Sequence, residues 1–515
     1  MPPVPVLTVA AALAAVVVLG FAATASPAAA HEAAVQTVDL RQARSVQIVG
    51  ARPGDHAQGA GAAGDVNGDG LADVLVSAPG ADAPGRKDAG AVYVVFGRRI
   101  TRARTRVAVP KPAQGFRILG PTAGAQLARA VAAGDINGDG LADVLVGALD
   151  EHRSAGAAYL VFGKRDGATV DLGHLGAGGI RISSTVPSVQ LGYGLAGGRD
   201  INGDGRADIV VVGAPGASGK TNAYVIFGGA PAGELHVPDL GTAGYVLHNA
   251  AGNVSLASDM NGDSRAEIVT AATPTKQQPD VAHVAFGRSG SDPEDLDALG
   301  PAGFTITDAG TSGAGALQVM GGGDVDGDGR GDVVLGSPLS ITRSGKTIKM
   351  VPNRVSIVFG APGADTVSLA APSPRVLSIQ APPLADPYLR VKGGVVTNGF
   401  DLTATAVSLV GDLDGDGLTD VAFNGATNSR GRKDAGSAWV VRGRNAAGAL
   451  RLSRLGADAV RIDGAYAGDK LREIAPVGGD FDGDGRPDLI LGGDGATRNS
   501  RSRSGIAWIV SGLRP

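Results

Sequence analysis

The residues of this chain best suited to chemistry lie in seven acidic nonapeptides, in which oxygen-bearing side chains recur at a fixed spacing. The pattern Asp-x-Asn/Asp-Gly-Asp-Gly-x-x-Asp begins at Asp65, Asp135, Asp200, Asp324, Asp412 and Asp480, and a weaker copy begins at Asp259. A hard divalent cation needs about six to eight oxygen ligands, which side chains at positions 1, 3, 5 and 9 and a carbonyl at position 7 can provide. The glycines at positions 4 and 6 allow the tight turns of such a loop. The spacing therefore predicts calcium binding.

We predict six well-formed calcium loops and a seventh, degenerate one. In the six, the residue at position 7 contributes its backbone carbonyl. The predicted ligands of the six loops are Asp65, Asn67, Asp69, Leu71, Asp73; Asp135, Asn137, Asp139, Leu141, Asp143; Asp200, Asn202, Asp204, Arg206, Asp208; Asp324, Asp326, Asp328, Arg330, Asp332; Asp412, Asp414, Asp416, Leu418, Asp420; and Asp480, Asp482, Asp484, Arg486, Asp488. The degenerate loop, fourth along the chain, offers Asp259, Asn261, Asp263 and Glu267. It has Ser264 where glycine is expected and a longer acid at its end, so we expect weak binding there or none.

Two other interpretations of these loops were weighed. An EF-hand starts similarly, but it needs a Glu at position 12 and flanking helices, whereas position 12 of the first loop is Val76 inside a strand-like run. The loops could also be acidic turns without metal. Against this, they contain 24 of the 50 acidic residues, which repel one another unless cations are bound. We expect the metal to be structural rather than catalytic.

The elements that position these loops repeat with them. Each loop follows a short Ala/Val/Gly stretch and precedes a β-branched run such as ADVLVSAP at 72–79, and then come runs such as GAVYVVFG at 90–97 and FRILG at 116–120. Runs of four to eight apolar residues bounded by Gly, Pro, Asn and Asp are typical of strands. Each repeat therefore predicts a four-stranded unit.

Counting the strands predicts how the repeats close. The seventh repeat ends after its third strand at 505–512, and the missing strand is SVQIVG at 45–50, ahead of the first repeat. We predict an all-β fold, a seven-bladed β-propeller of four-stranded blades that is closed by this N-terminal strand. The predicted segments are a signal peptide at 1–30, a linker at 31–44 and the propeller at 45–512. Its blades are approximately 51–120, 121–184, 185–248, 249–308, 309–380, 381–463 and 464–512 with 45–50.

The repeats resemble FG-GAP repeats, as found in the N-terminal propeller of integrin α subunits and in bacterial secreted proteins. The Phe-Gly element occurs at Phe96-Gly97, Phe162-Gly163, Phe227-Gly228, Phe286-Gly287 and Phe359-Gly360, and the Gly-Ala-Pro element at Gly213-Ala214-Pro215. The resemblance covers about 45–512. Later blades depart from it, since Arg442 and Ser511 replace the Phe.

Composition narrows the function classes and the location. The chain has no Cys, which excludes disulfides, thiolate metal sites and a cysteine nucleophile, and its formal charge of −4 gives no sign of nucleic-acid binding. The apolar run 6–23 is followed by Ala-x-Ala exits ending at Ala25 and Ala30, which predicts a secretory signal. We expect a secreted, extracellular or cell-envelope protein. An uncleaved membrane anchor is the alternative, because the first residues lack Lys and Arg.

Ligand-binding residues are predicted on the face opposite the calcium loops. In an up-and-down blade the 1–2 and 3–4 connections share one face, and the 2–3 and 4–1 connections share the other. That second face carries many cations, which favours anionic ligands, and in integrin α subunits it is where ligands and the partner subunit dock. The residues predicted there are Arg86, Lys87, Arg343, Lys346, Tyr388, Arg432, Lys433, Arg501 and Arg503. Ordinary solvated loop cations are the alternative interpretation.

The sequence favours a calcium-binding adhesion or ligand-binding module, without catalytic residues, whose ligand is an extracellular anionic glycan or protein. A calcium-dependent polysaccharide lyase is the runner-up, with His56, Tyr193, Tyr388 and Tyr466 as candidates, and a purely structural envelope protein is the third hypothesis. Two further motifs are discounted. The segment 214–221 fits a relaxed phosphate-loop pattern but precedes a strand, so no nucleotide is expected, and Arg330-Gly331-Asp332 ends on a predicted calcium ligand rather than on a display loop.

Overall fold

The structure is a computed structural model that describes residues 35–49, 52, 54–99, 104–107, 111–151, 155–184, 186, 189–216, 219–271, 280–308, 317–337, 340–344, 347–351, 354–380, 391–392, 395–396, 406–425, 431–475, 478–493 and 505–513. Seven five-stranded sheets contain most of the described strands. They follow one another along the chain as the blades of a propeller, so the predicted fold class is confirmed.

Each blade has four antiparallel strands, numbered here from first to fourth. Blades 1 to 3 consist of Gln58–Gly64, Asp73–Ala78, Ala91–Val95, Gly115–Leu119; Leu127–Gly134, Asp143–Ala148, Ala157–Val161, Gly179–Ser184; and Gly194–Arg199, Asp208–Val212, Thr221–Ile226, Gly244–Ala250. Blades 4 to 6 consist of Asn253–Ala257, Glu267–Ala271, Asp280–Ala285, Gly303–Asp308; Gln318–Gly321, Val333–Ser337, Arg354–Val358, Val376–Gln380; and Val407–Leu409, Val421–Asn424, Ser437–Val441, Ala459–Asp463. Blade 7 consists of Leu471–Ile474, Leu489–Gly493, Ile506–Val510 and Ser45–Val49.

A fifth strand, which the sequence did not predict, lies outside the fourth in every blade and runs parallel to it. In blades 1 to 5 and in blade 7 it comes from the connection between the third and fourth strands of the next blade round the ring. The fifth strands of blades 1 to 7 are Val170–Asp171, Gly233–Val237, Glu294–Asp295, Val367–Ser368, Gly448–Arg451, Gln36–Asp39 and Arg104–Val107. Every blade is therefore joined to its neighbour by backbone hydrogen bonds at the rim.

The N-terminal residues close the ring twice. Ser45–Val49 pairs antiparallel with Ile506–Val510, as predicted, and thereby supplies the fourth strand of blade 7. Gln36–Asp39, inside the stretch 31–44 that was predicted to be a linker, pairs parallel with Val460–Asp463 in blade 6. Blade 7 thus combines an N-terminal strand with C-terminal strands, and the same rim pattern continues across the join in blade 6.

The core lies between adjacent sheets and is built mainly from small and β-branched side chains. One cluster joins Val74 and Val76 of blade 1 to Ile490 and Ile509 of blade 7, and corresponding clusters join other neighbouring blades. Strands rich in Val and Ile fit this arrangement because branched side chains pack well on a pleated surface. Trp439 and Trp508, which lie in the third strands of blades 6 and 7, are buried.

The remaining described elements are short. Seven 3-10 turns follow fifth strands or precede fourth strands, at Leu172–His174, Gly176–Gly178, Gly241–Ala243, Leu296–Ala298, Gly300–Ala302, Leu452–Arg454 and Gly456–Asp458. Two small hairpins pair Ser340–Ser344 with Thr347–Val351 and Val391–Lys392 with Val395–Val396. Among the described residues no helix has the length and apolar character needed to cross a membrane. The predicted signal peptide, 1–30, lies outside the described residues.

Candidate functional site

The acidic nonapeptides occupy the connections between first and second strands, and each folds around its own first carboxylate. In the first loop, Oδ1 of Asp65 accepts hydrogen bonds from the backbone N–H of Gly68 at 2.6 Å and of Asp69 at 3.1 Å, and Oδ2 accepts one from Gly70 at 2.8 Å. The same three bonds occur in the other six loops. The sequence repeat is therefore also a repeat of conformation.

Positions 4 and 6 require a left-handed backbone. Gly68 and Gly70 have φ of 75° and 85°, a region that glycine enters without steric cost. Ser264, at position 6 of the fourth loop, adopts φ 68° and still makes the hydrogen bond to Asp259 at 2.7 Å. The substitution that marked this loop as degenerate therefore leaves its fold intact.

The carboxylate at position 9 is the buried anchor of every loop. Asp73 is fully buried, and its Oδ2 accepts from the N–H of Val66 at 2.9 Å while its Oδ1 accepts from Gly97 at 2.8 Å. Gly97 is the glycine of the Phe-Gly element, and the corresponding bond recurs at Gly163, Gly228, Gly360 and Gly443. The Phe-Gly element thus has a direct structural purpose, because its glycine N–H holds the last carboxylate of the acidic loop.

Burial makes these anchors hard to ionise in the absence of a cation. Desolvation raises the pKa of Asp73 to about 7 and that of Glu267 to about 9. The pKa values of Asp143 and Asp208 rise to about 6, those of Asp332 and Asp420 to about 7 and that of Asp488 to about 8, again chiefly through burial. A bound cation would favour the ionised form of each group.

Whether the loops suit a cation can be tested on their unpaired oxygens. In the seventh loop both carboxylate oxygens of Asp482 and Oδ1 of Asp488 are buried without a hydrogen-bond partner, and in the fourth loop the same holds for Oε1 of Glu267. Unpaired buried carboxylate oxygens are costly unless a ligand completes them. The residues present therefore fit calcium, which prefers carboxylate and carbonyl oxygens.

Convergence of the carboxylates supports the same conclusion in four loops. Ligand oxygens lie within 4.8 Å of one another in the groups Asp259, Asp263, Glu267; Asp324, Asp326, Asp332; Asp412, Asp414, Asp420; and Asp480, Asp482, Asp488. The fourth loop, expected to be weak, is among them. In the first four loops the Asn at position 3 donates to the carboxylate at position 5, as Asn67 does to Asp69 at 2.9 Å.

Neighbouring loops touch, so the loops form a ring on one face. In five loops the N–H at position 8 donates to the carbonyl at position 1 of the preceding loop, as from Ala142 to Asp65 at 2.9 Å and from Ala72 across the ring closure to Asp480 at 2.9 Å. The side chain at position 7 lies over the glycine at position 4 of the preceding loop, as Leu141 does over Gly68. A cation in one loop would therefore also stabilise the junction with the next.

One arginine beside these loops was noticed in the sequence only as an exception. Arg442 replaces the Phe of the Phe-Gly element, and its Nη1 lies 3.0 Å from Oδ2 of Asp414 in the sixth loop. The sequence signal for this contact was an arginine in place of the expected aromatic residue, in the same repeat as a loop with four acids.

On the opposite face, two of the predicted ligand-binding arginines are engaged within the molecule. Arg86 donates to both oxygens of Asp171 at 2.8 Å, and Arg432 donates to both oxygens of Asp39 at 3.2 and 3.0 Å. In both cases a cation of a 2–3 connection holds an acid of the fifth strand of its own blade. The sequence carries no signal for these two ion pairs, because the acids lie in fifth strands that were not predicted.

The other predicted residues of that face divide into two groups. Lys87 and Lys433 directly follow the two arginines and are exposed. Arg343 lies in the hairpin strand Ser340–Ser344. Lys346, Tyr388, Arg501 and Arg503 lie outside the described residues.

The lyase candidates are not gathered around one described pocket. Tyr193 lies under the guanidinium of Arg129, 5.2 Å from ring centroid to Cζ, and Tyr466 lies under that of Arg41 at 5.0 Å. His56 is held at φ 52° just before the first strand of blade 1. The Arg330-Gly331-Asp332 tripeptide is not a display loop, since Asp332 is fully buried. The phosphate-loop-like segment 214–221 precedes no helix, since Thr221 begins a strand.

Comparison with known proteins identifies the repeat. The FG-GAP repeat model matches residues 57–95, 127–161, 191–237 and 474–510, so the chain carries FG-GAP repeats. It is 33% identical over 159 residues to phosphatidylinositol-glycan-specific phospholipase D of Bos taurus, a match covering 30% of this chain and 18% of that protein. It is 33% identical over 153 residues to integrin alpha-PS5 of Drosophila melanogaster, covering 30% and 14%, and 39% identical over 87 residues to human integrin alpha-E, covering 16% and 7%. The matches thus span less than a fifth of each relative's length, and the likeness concerns the propeller repeats.

Proposed function

We propose that this protein is a secreted or cell-surface calcium-binding propeller that acts as an adhesion or ligand-binding module. The observation that carries the calcium proposal is the set of buried, unpaired carboxylate oxygens in loops that otherwise hold a single conformation in all seven repeats. Calcium supplies positive charge at these oxygens when bound. The loop residues orient the carboxylates through backbone hydrogen bonds and exclude water from position 9.

Calcium removal tests this part of the proposal. We expect the melting temperature of the protein in a chelator to lie many degrees below that in calcium, because a ligand that binds only the folded state adds about 2.7 kcal/mol per site at a hundredfold excess over its Kd. Magnesium is the matched control ion, since it demands a smaller, octahedral site. Identical melting temperatures with calcium and chelator would contradict the proposal.

We further propose that the ligand is an extracellular anionic glycan or protein, bound through the basic face opposite the loops. Lys87 and Lys433 support this, since they are exposed and stand at the same point of two identical Gly-Arg-Lys-Asp-Ala-Gly segments, at 85–90 and 431–436. The arginines before them contribute by fixing the backbone of these loops. The relatives include both integrin α subunits and a phospholipase, so the likeness leaves the enzymatic question to experiment.

The ligand proposal is tested by retention on a panel of anionic glycans and cell-wall polymers, with ultraviolet absorbance of unsaturated sugar read in the same samples. We expect salt-sensitive retention without new absorbance, and weaker retention of the double variant Lys87→Glu, Lys433→Glu. The exposed pair Arg451→Glu, Arg454→Glu, which makes the same change of charge on the rim of blade 5, should bind as the unaltered protein does. Rising absorbance would instead establish the lyase, and absence of both signals would leave the structural envelope role.

A further inference from the structure

Positive charge is concentrated in one acid-free stretch of the chain. Residues 89–134 contain eight Arg and Lys and no Asp or Glu, although the whole chain has more acids than bases. Five of the eight, Arg98, Arg99, Arg102, Arg104 and Arg106, fall within nine residues. These five arginines are not part of the basic face proposed above, because they lie in the 3–4 connection of blade 1.

The structure places the centre of this stretch at the rim of blade 7. Arg104–Val107 is the fifth strand of that blade, parallel to Ser45–Val49, with Arg104 opposite Ser45 and Arg106 opposite Gln47. The described residues form no strand on its other side, so it is the outer edge of the sheet. Arg104 and Arg106 are two residues apart and therefore belong to the same face of the strand.

This edge differs from most other fifth strands in the sign of its charge. In four of the other six blades the fifth strand supplies an acid that is paired with a cation of the same molecule, whereas Val367–Ser368 and Gly448–Arg451 contain no acid. Such pairs are Asp39 with Arg432, Asp171 with Arg86, Glu234 with Arg181, and Glu294 with Arg288. In blade 7 the arginines occupy the strand itself, and their register partners Ser45 and Gln47 carry no charge. The fifth strand of blade 7 thus lacks the acids that the fifth strands of four other blades carry.

We propose that the edge Arg104–Val107 binds an acidic peptide segment in extended conformation, which adds to blade 7 as a sixth strand. The outer edge of a sheet offers backbone N–H and C=O groups as a template for a further strand. Arg104 and Arg106 occupy alternate positions of this strand, so an incoming strand with acids at alternate positions would complement its charge, since opposite charges on paired strands stabilise pairing. A polysaccharide would use the charge but not the backbone groups.

The test is the affinity of the full-length, calcium-loaded protein for a fluorescent synthetic peptide of about five Glu-Val repeats, measured by anisotropy at low salt. We expect the variant Arg104→Glu, Arg106→Glu to bind about tenfold more weakly or worse, since it reverses the charge of the strand with which the peptide would pair. The variant Arg451→Glu, Arg454→Glu makes the same charge change on another rim and should bind unchanged. Melting temperatures identify any variant that fails to fold, and Arg104→Gln, Arg106→Gln then replaces it.

A second peptide separates strand addition from attraction by charge alone. The same sequence with alternate backbone nitrogens methylated keeps every carboxylate but cannot pair along the edge. We expect it to bind at least tenfold more weakly. Equal binding of both peptides, or unchanged binding by the Arg104/Arg106 variant, would overturn the proposal. The variant Lys87→Glu, Lys433→Glu should bind the peptide normally, so failure here and failure of the basic-face proposal are distinguishable.

Discussion

At the scale of single residues, the position-9 carboxylates explain why the acidic loops and the Phe-Gly elements recur together. Five of the seven anchors accept a hydrogen bond from the glycine that follows the third strand. In blade 7 that glycine is Gly512, which adopts φ 68° after Ser511, and Oδ1 of Asp488 is left unpaired. The glycine bond does not depend on the aromatic residue, since Gly443 makes it after Arg442, whereas Oε1 of Glu267 is unpaired although Phe286 is present.

Removing a buried charge that accepts no hydrogen bond should have opposite effects with and without calcium. We expect Asp482→Asn to stabilise the metal-free protein, by about 1–3 kcal/mol at most, because it neutralises a carboxylate whose oxygens lack hydrogen bonds. In calcium the same variant should be less stable than the unaltered protein, since a ligand is lost.

Thermal melts of both states check this prediction, with the exposed Asp292→Asn as control. A uniform shift of the melting temperature in both states would contradict it, even though Arg44 lies 3.7 Å from Asp482 and offsets part of its charge.

Two glycines of the first loop provide a matched pair of variants. A Cβ at Gly68 would lie 2.6 Å from Nη1 of Arg165 and 2.8 Å from Cδ2 of Leu141, whereas a Cβ at Gly70 would meet nothing within 4 Å. We expect Gly70→Ala to cost about 1–2 kcal/mol for the left-handed backbone alone. Gly68→Ala should cost about 1–3 kcal/mol more through overpacking. Equal unfolding midpoints in urea would show that the neighbouring loop yields freely.

At the scale of elements, the fifth strands and the 2–3 connections together join neighbouring blades through ion pairs. The two Gly-Arg-Lys-Asp-Ala-Gly connections have the same conformation at their Asp residues, with φ 49° at Asp88 and 54° at Asp434. Each directs its arginine to an acid of the fifth strand. In this way the 2–3 connection of a blade binds the fifth strand of that blade, which comes from a different part of the chain.

Removing one of these ion pairs should destabilise the protein measurably. We expect Arg432→Met to lower the free energy of unfolding by about 1–3 kcal/mol, because it removes charged hydrogen bonds to Asp39 and leaves that acid without this partner. The pair is only 11% and 12% exposed, so solvent screens it little. Urea unfolding is the measurement, and Lys433→Met, exposed beside it, should change little; a larger effect at Lys433 would reverse the assignment.

The sequence predicted the elements that have strong local signals and missed those that depend on distant partners. The second, third and fourth strands of each blade are apolar runs rich in β-branched residues between turn residues, the first strands are short Ala/Val/Gly stretches before the acidic loops, and those loops have fixed spacing. By contrast, Val170–Asp171 and Glu294–Asp295 have two residues each and no alternation, and they become strands only because a neighbouring blade offers an open edge. The engagement of Arg86 and Arg432 could not be predicted for the same reason, since their partners lie in such strands.

At the scale of the whole molecule, the ring is held at its join by a short N-terminal segment. Leu40 is fully buried, Asp39 pairs with Arg432, and Arg41 stacks on Tyr466. These contacts tie the segment before Ser45 to blades 6 and 7. The join is thus fastened by two strands, one in each blade.

Shortening the chain from its N-terminus should expose the contribution of the first of these strands. We expect a chain that begins at residue 42 to melt several degrees lower than one that begins at residue 35, because it loses Gln36–Asp39 and the burial of Leu40. Limited proteolysis should also cut blade 6 of the shorter chain faster. Indistinguishable melting and cleavage would show that Ser45–Val49 alone fastens the ring.

The pairing of Gln36 with Val460 and of Ser45 with Val510 fixes the order in which this fold can be completed. On the ribosome the earliest strands to emerge are the ones whose partners are translated last. Because contacts so distant in sequence form late, five blades can assemble while both N-terminal strands remain without their partners. The ring can therefore close only after blades 6 and 7 have been translated. A chain released earlier retains open sheet edges, to which chaperones or proteases can bind.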